Sequence, residues 1–296
     1  VVERLRRLEE QVARRFDRVG ERVLLAPSTS RVLQVLYENR LTHYVFDRLQ
    51  RARARQYLEQ VRHGPMPRHV GIIMDGNRRF AQRLGLDPAA GHVLGRDRLE
   101  DVLDWCLELQ IRHLTVYAFS TENFQRAHDE VDVLMDLFEA NFRKMADDER
   151  VHKHKIRVRV LGRVDLLPER VQAAARHAEE RTRGYDQFFF QVAVAYGGRE
   201  ELLGAFRTIA RKIKENGTKP EDITEEMISA HLYTNGLPDP DLILRTSGEE
   251  RVSNFLLWQA AYSELYFADV YWPALTKKEF LKALRSYQLR QRRFGQ

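Results

Sequence analysis

An α/β fold, with a largely parallel central sheet flanked by helices and preceded by an α-helical N-terminal extension, is the architecture this sequence predicts. Three observations carry the prediction. Apolar runs of strand length recur through residues 67–296, helical stretches separate them, and the first 66 residues read as two amphipathic helices.

In the extension, Leu5, Leu8, Val12, Phe16 and Val19 recur at helical spacing among Arg and Glu, and Val32, Val35, Leu36, Leu49, Leu58 and Val61 repeat the pattern more loosely. Ala26-Pro27-Ser28-Thr29-Ser30 separates the two helices, and Gly64-Pro65-Met66-Pro67 ends the second. The chain is therefore expected to divide into a basic helical extension, residues 1–66, and one α/β domain, residues 67–296. In that domain Val70 to Met74, Leu114 to Phe119, Ile156 to Gly162, Phe188 to Ala195 and Leu242 to Arg245 read as short buried strands. Residues 95–110, 129–150, 168–183, 199–215 and 277–290 read as helices. Such alternation builds a parallel sheet covered on both faces, and ligands bind beyond the carboxyl ends of its strands.

Composition narrows the function classes. At 296 residues with 43% hydrophobic content the chain can bury a sizeable core. Its longest apolar runs fall far short of the roughly 20 residues that span a bilayer. The opening Val1-Val2-Glu3-Arg4 lacks the apolar region of a signal peptide, so a cytoplasmic location is expected. Cys106 is the single cysteine, without zinc-type spacing, and reads as a small buried apolar residue. Residues 1–66 hold 14 Lys and Arg against 8 Asp and Glu, whereas residues 67–296 hold 35 of each. The net charge of +6 therefore lies wholly in the extension, as a solvated helical face or an attraction to phosphates.

Three stretches carry chemistry. Gly71 to Ala81 is an apolar strand ending in Asp75, a turn glycine and Asn77-Arg78-Arg79 at a helix start. This layout suits a phosphate, with arginines adding charge-assisted hydrogen bonds. Asp75 would repel that anion unless a divalent ion such as Mg²⁺ joined them. A capped helix with surface arginines is the plainer alternative. An aspartyl-phosphate enzyme would need a second acid two residues on, where Asn77 stands, and no Walker-type loop is present. Tyr117 to Arg126 gathers hydroxyl, amide, aromatic and guanidinium groups at a second strand end. Leu242 to Asn254 brackets Gly248 with Arg245, Arg251, Ser247 and Ser253, a composition suited to a diphosphate.

In this order and spacing, together with Gly91-His92, Tyr196-Gly197-Gly198-Arg199 and Ser253 to Gln259 continuing through Tyr262 to Phe267 and Trp272-Pro273, these stretches resemble the cis-prenyltransferase family. That family includes undecaprenyl and dehydrodolichyl diphosphate synthases, and the match runs from about Pro67 to Gly295. The Asp-Asp-x-x-Asp motif of trans-prenyltransferases is absent. The resemblance implies an enzyme that adds isopentenyl diphosphate repeatedly to a farnesyl or geranylgeranyl starter, making a polyprenyl diphosphate for a glycosyl carrier lipid.

It also implies the roles. Asp75 and Asn123 are expected to be catalytic, and Asp75 with Glu264 to hold Mg²⁺. Gly76, Asn77, Arg78, Arg79 and His92 match the allylic diphosphate site, and Arg245, Arg251 and Ser253 match the isopentenyl diphosphate site. Ser120, Phe124 and Arg126 lie with Asn123 between the two. Arg293 and Gly295 match a tail that reaches a partner's active site, which implies a homodimer. A hydrophobic tunnel is expected among Leu103, Leu107, Val131, Leu134, Leu137 and Phe138, residues that read equally as ordinary core, with Phe188 limiting product length. Asp87-Pro88-Ala89-Ala90 departs from many bacterial relatives, which carry an arginine there, and Phe124 stands where tryptophan is common. The stretch Leu36 to Leu41 looks more like archaeal members.

Rival readings are a non-catalytic scaffold subunit, which Asp75, Arg245 and Arg251 argue against, and a nucleic-acid binder. The aromatic-basic interleaving the latter needs is absent, so no nucleic-acid partner is expected. Peripheral membrane association through the extension is the remaining expectation.

Overall fold

The computed structural model describes residues 55–216 and 219–290, so most of the predicted extension, the stretch Leu36 to Leu41 and the tail with Arg293 and Gly295 lie outside the described residues. Residues 55–62 are helical, and Val61 is fully buried in the larger core together with Val70 and Phe280.

Six strands form one sheet: β1 (His69–Ile73), β2 (His113–Ser120), β3 (Ile156–Leu161), β4 (Phe188–Tyr196), β5 (Leu242–Arg245) and β6 (Glu264–Phe267). Their spatial order is β3-β4-β2-β1-β5-β6, and every neighbouring pair is parallel. Because all run the same way, residues after the strands collect at one edge. The order reverses direction at the β1/β5 pair, the kind of switch point where open parallel sheets leave a ligand crevice. Ile73 pairs in register with Tyr117 on one side and Arg245 on the other, which brings three motif-bearing strand ends level.

The helices are α1 (Asn77–Arg83), α2 (Pro88–Glu108), α3 (His128–Asp147), α4 (Glu149–Lys153), α5 (Glu169–Thr182), α6 (Gly198–Asn216), α7 (Glu225–Ser229) and α8 (Lys277–Leu289). Alternate strand residues face opposite cores, as the two-residue period requires. Val70 and Ile72, Leu114 and Val116, and Leu242 and Leu244 join the larger core, with Val102 and Cys106 of α2, Phe142 of α3, Ala174 and Ala178 of α5, and Phe280 of α8. Ile73, Tyr117 and Ile243 join the second core, with Tyr196, Phe255 and Leu256. Burial pushes the Cys106 thiol up to about 12, which suits an inert packing residue.

Three differences from the sequence reading have local causes. Helix α2 begins at Pro88 rather than residue 95, because Asp87 caps it by accepting from the Ala89 N–H at 2.7 Å and proline occupies the first turn. The residues that depart from the bacterial pattern are thus a helix start. The stretch 129–150 divides where Asp148 leaves helical geometry and caps α4 through the Arg150 N–H at 2.8 Å. Strand β6 is an additional, four-residue strand, half-buried at the edge of the sheet.

Candidate active site

The β1/β5 crevice is centred on Asp75. Its backbone N–H donates to Thr246 Oγ1 at 3.0 Å, and its carbonyl accepts from Thr246 Oγ1 at 2.7 Å and from the Trp272 N–H at 3.0 Å. The carboxylate then points at two guanidinium groups: Arg79 Nη2 lies 3.0 Å from Oδ1 and Arg245 Nη2 lies 2.7 Å from Oδ2. Burial raises the Asp75 carboxyl, but the Arg245 hydrogen bond and the Arg79 and Arg245 charges outweigh it and hold it below the usual carboxylate range. Gly76 makes the turn into α1 at φ 104°, and a Cβ there would lie 2.6 Å from the Tyr271 ring.

Arg245 is the most enclosed charge of the group, its side chain 4% exposed. Its Nη1 donates to Arg251 O and Ser253 Oγ, both at 2.6 Å. The β5–β6 connection thus folds back over the guanidinium, with Ser247, Ser253, Asn254 and Leu256 all at positive φ. Arg245 Nε and Asn77 Oδ1 are buried without a partner. In a site otherwise rich in hydrogen bonds, such orphan atoms mark where a ligand or water completes the shell. Arg79 also reaches Ser247 Oγ at 2.8 Å and Glu249 Oε1 at 3.1 Å, and Glu249 holds the exposed Arg251 at 2.5 Å.

The end of β2 supplies the second wall. Ser120 N–H donates to Asn123 Oδ1 at 3.0 Å, fixing the short helical turn Thr121–Gln125, and Phe124 packs edge-on against Phe119 at 4.9 Å. Arg126 then meets Glu130 of α3 at 2.8 Å. The same carboxylate accepts from His92 Nε2 at 3.2 Å and Arg78 at 3.5 Å. The His92 hydrogen bond and the Arg126 and Arg78 charges bring Glu130 down to about 2, against a smaller opposing effect of burial. Burial lowers His92, so it serves Glu130 as a neutral N–H donor. Close approach of α1 and α2 requires small residues: a Cβ on Gly91 would sit 2.1 Å from Asn77 O, and one on Gly95 would sit 2.3 Å from Asn77 Oδ1.

An apolar cavity opens at this edge and descends between α2, α3 and the sheet. Met74, Asn77 and His92 stand at its head; Leu99, Leu103, Leu134, Leu137 and Phe138 line its middle; Phe142, Met145 and Ile156 line its far end. The expected tunnel is present in outline, with two corrections. Val131 packs beside it in the core, and Ile156 stands in the wall where Phe188 was expected, the two being register partners on β3 and β4.

The structure brings Asp75, Gly76, Asn77, Arg78, Arg79, His92, Ser120, Asn123, Phe124, Arg126, Arg245, Arg251 and Ser253 to one edge of the sheet. It does not bring Glu264 there. Glu264 pairs with Leu242 at the opposite end of β5 and binds Arg290 at 2.7 Å, so within one chain it cannot share an ion with Asp75. Sequence reasoning missed Glu130 and Glu249 as the carboxylates that hold the free arginines. Glu130 was detectable in principle, since it follows Arg126 by four residues at a helix start. Asn254 was also missed as a junction: its carbonyl and Oδ1 accept from the Gly198 and Arg199 N–H groups at 2.7 and 2.9 Å, and its Nδ2 donates to Glu122 at 3.2 Å.

Residues 73–295 match the prenyltransferase family model described as "Putative undecaprenyl diphosphate synthase". The chain belongs to the cis-prenyltransferase family. It is 55% identical over 232 residues, 78% of this chain and 83% of the relative, to the tritrans,polycis-undecaprenyl-diphosphate synthase (geranylgeranyl-diphosphate specific) of Methanocaldococcus jannaschii. The enzyme of the same name from Thermococcus kodakarensis is 53% identical over 255 residues, 86% of this chain and 97% of that one. Among solved structures, lavandulyl diphosphate synthase from Lavandula x intermedia in complex with dimethylallyl diphosphate superposes with a TM-score of 0.75 at 37% identity, covering 78% of this chain and 99% of that one. This cis-prenyltransferase is thus an enzyme that condenses isopentenyl diphosphate onto an allylic diphosphate, not a scaffold subunit. The similarity to archaeal synthases agrees with the archaeal character read from the sequence.

Proposed function

We propose that the cis-prenyltransferase extends geranylgeranyl diphosphate by successive condensations, with the Asp75–Arg245 crevice as its reaction centre and the apolar cavity holding the growing tail. The observation that carries this reading is an ionised carboxylate bridging two arginines at the head of an apolar cavity. The geranylgeranyl starter rests on the relatives' names. Gly76, Asn77, Arg78, Arg79 and His92 hold the allylic diphosphate, with its hydrocarbon entering beside Met74 and Leu99. Arg245, Arg251 and Ser253 hold the isopentenyl diphosphate, and Ser120, Asn123, Phe124 and Arg126 separate the two.

In the reaction the allylic C–O bond breaks, the isopentenyl double bond attacks the resulting carbocation, and a proton leaves the new chain. Arg78 and Arg79 stabilise the departing diphosphate charge, and the packed aromatic pair Phe119 and Phe124 keeps water from the cation. Among the described residues no cluster of three or more His, Cys, Asp or Glu could hold a metal by itself. One carboxylate beside a diphosphate site nevertheless fits Mg²⁺, which takes most of its ligands from substrate and water. Mg²⁺ bound by Asp75 and phosphate oxygens would supply charge neutralisation of the leaving group.

A homodimer belongs to this reading, supported by Leu203 and Phe206, which expose apolar surface one turn apart on α6. Peripheral membrane association rests on the charge excess of residues 1–66, and no helix among the described residues is long and apolar enough to cross a membrane. The decisive assay incubates the protein with radiolabelled isopentenyl diphosphate, Mg²⁺ and each allylic starter, then separates the lipids by length. Long products from geranylgeranyl diphosphate that vanish with Asp75→Asn support the assignment; equal products from the variant overturn it.

A further inference from the structure

We propose that an ion-pair zipper between α2 and the α3–α4 junction, built from Glu100 and Asp104 of α2, Lys144 of α3 and Arg150 of α4, is the gate through which the growing hydrocarbon leaves the cavity, and that its opening sets product length. The inference deepens the elongation reading and rests on it. The cavity face of α2 runs from His92 through Leu99 and Leu103 to Leu107, about 22 Å at 1.5 Å per residue. At the far end stands Ile156, the first residue of β3, at the opposite edge of the sheet from Asp75. A tail lengthened by repeated condensation fills this cavity and must then push a wall aside.

The walls differ in what would have to be broken. The sheet side, formed by Ala118, Ile156 and Val192, is hydrogen-bonded and continuous with the core, and Trp272 Nε1 pins α2 near the head by donating to Gly95 O at 2.8 Å. The α2–α3 side is closed by charges instead. Lys144 Nζ lies 2.5 Å from Glu100 Oε1, Arg150 Nη2 lies 3.1 Å from Glu100 Oε2, and Arg150 Nη1 lies 3.5 Å from Asp104 Oδ1. These side chains line the apolar cavity on one side and meet solvent on the other: Lys144 is 54% exposed, Arg150 41% and Glu100 33%. Water and salt screen such pairs, so they separate and re-form where a packed core would not.

The joint that such a movement needs is already present. α3 ends at Asp147, and Asp148 leaves helical geometry before α4 begins. Arg150 keeps a second partner in Asp148 at 3.1 Å, so its guanidinium stays paired when it leaves Glu100. The gate therefore opens without stranding that arginine and without breaking a continuous helix.

The test uses the full chain with Glu100→Cys and Lys144→Cys, bridged or not by a short bis-maleimide. Cys106 is 3% exposed, so the reagent is confined to the introduced thiols. Two quantities are read: the rate of a single condensation at limiting isopentenyl diphosphate, and the product length distribution when it is in excess. The expected result is an unchanged single-condensation rate with loss of the longest products on bridging, while Arg150→Ala shifts the distribution longer. Identical lengths from bridged and unbridged enzyme overturn the gate, as does a fall in the single-condensation rate with no change in length. Failure of the unmodified chain to incorporate isopentenyl diphosphate at all overturns the elongation reading, and the gate with it.

Discussion

At the carboxyl edge of the sheet Asp75, Arg245, Arg79 and Glu130 are held as ions, whereas at the amino edge His69, His113, Thr115 and Gln191 are buried as neutral groups. His69 donates to Pro238 O at 2.7 Å and contacts Thr115 Oγ1 at 2.7 Å, and Thr115 lies 3.0 Å from Gln191 Oε1. His113 stacks flat on Phe189 at 4.5 Å. Burial brings both histidines down to about 4, with the neighbouring charges Arg112 and Arg68 adding to the effect on His113. The amino edge finds most of its partners on strands and adjoining backbone, with His113 Nδ1 and Gln191 Nε2 left buried without one, and no charged group there awaits an anion. The carboxyl edge satisfies cations with carboxylates that a diphosphate can replace. Stability and function thus occupy opposite ends of the same strands.

The largest expected effect falls on the ionic end. Asp75→Asn should lower kcat by about 10³-fold, the scale of losing preorganised charge at a reaction centre, measured at saturating substrates. It should also lower the melting temperature, because Arg245 would be left buried without its anion. A variant that melts lower but turns over normally would break the contrast between the two ends.

The neutral end should govern acid stability. A histidine whose folded value is depressed leaves the protein fully stable above the unfolded value of 6.5 and destabilises it as pH falls toward 4, because only the unfolded chain takes up the proton. For His69 the loss is on the order of 3 kcal/mol by pH 4. Glu130 has the opposite chemistry and a lower window: its contribution is full above 4.5 and fades only as pH falls toward about 2. Denaturant melts from pH 8 to 4 should therefore show falling stability, and His69→Leu should flatten that slope while leaving kcat unchanged at pH 7.5.

Smaller effects sharpen the comparison. Glu130 competes with a diphosphate for Arg78 and Arg126, so Glu130→Gln should tighten inorganic pyrophosphate binding roughly tenfold, about 1.4 kcal/mol by calorimetry. Unchanged affinity would make Glu130 a purely structural clasp. Asp87→Ala removes a helix cap on the path between the ends and should cost about 1 kcal/mol of stability with no change in KM.

Much of this arrangement was legible in the sequence. Four of the six strands are mostly apolar and β3 alternates apolar residues with arginine, patterns that no helix period explains, and the polar clusters of β1, β2 and β5 begin where those strands stop. β6 was not legible because Glu264-Leu265-Tyr266-Phe267 lies at the sheet's edge and needs no continuous apolar face. The start of α2 was hidden because Asp87-Pro88 draws notice for the arginine it lacks before it does so as a cap. Glu264 looked like a second metal carboxylate, but the parallel register of β5 and β6 carries it to the far edge. Glu130 and Glu249 passed unnoticed because an acid among arginines reads as balanced surface charge until the distances are known.

By itself the sequence determined the α/β alternation, the inert Cys106 and the identity of the groups at each strand end, because side-chain chemistry and apolar period are local properties of a chain. Only the tertiary structure decided that Asp75 would meet Arg245 across 170 residues, and that the α2–α3 cleft would close with charges rather than with core. Both depend on strand order and helix register, which long-range packing selects and no local pattern encodes.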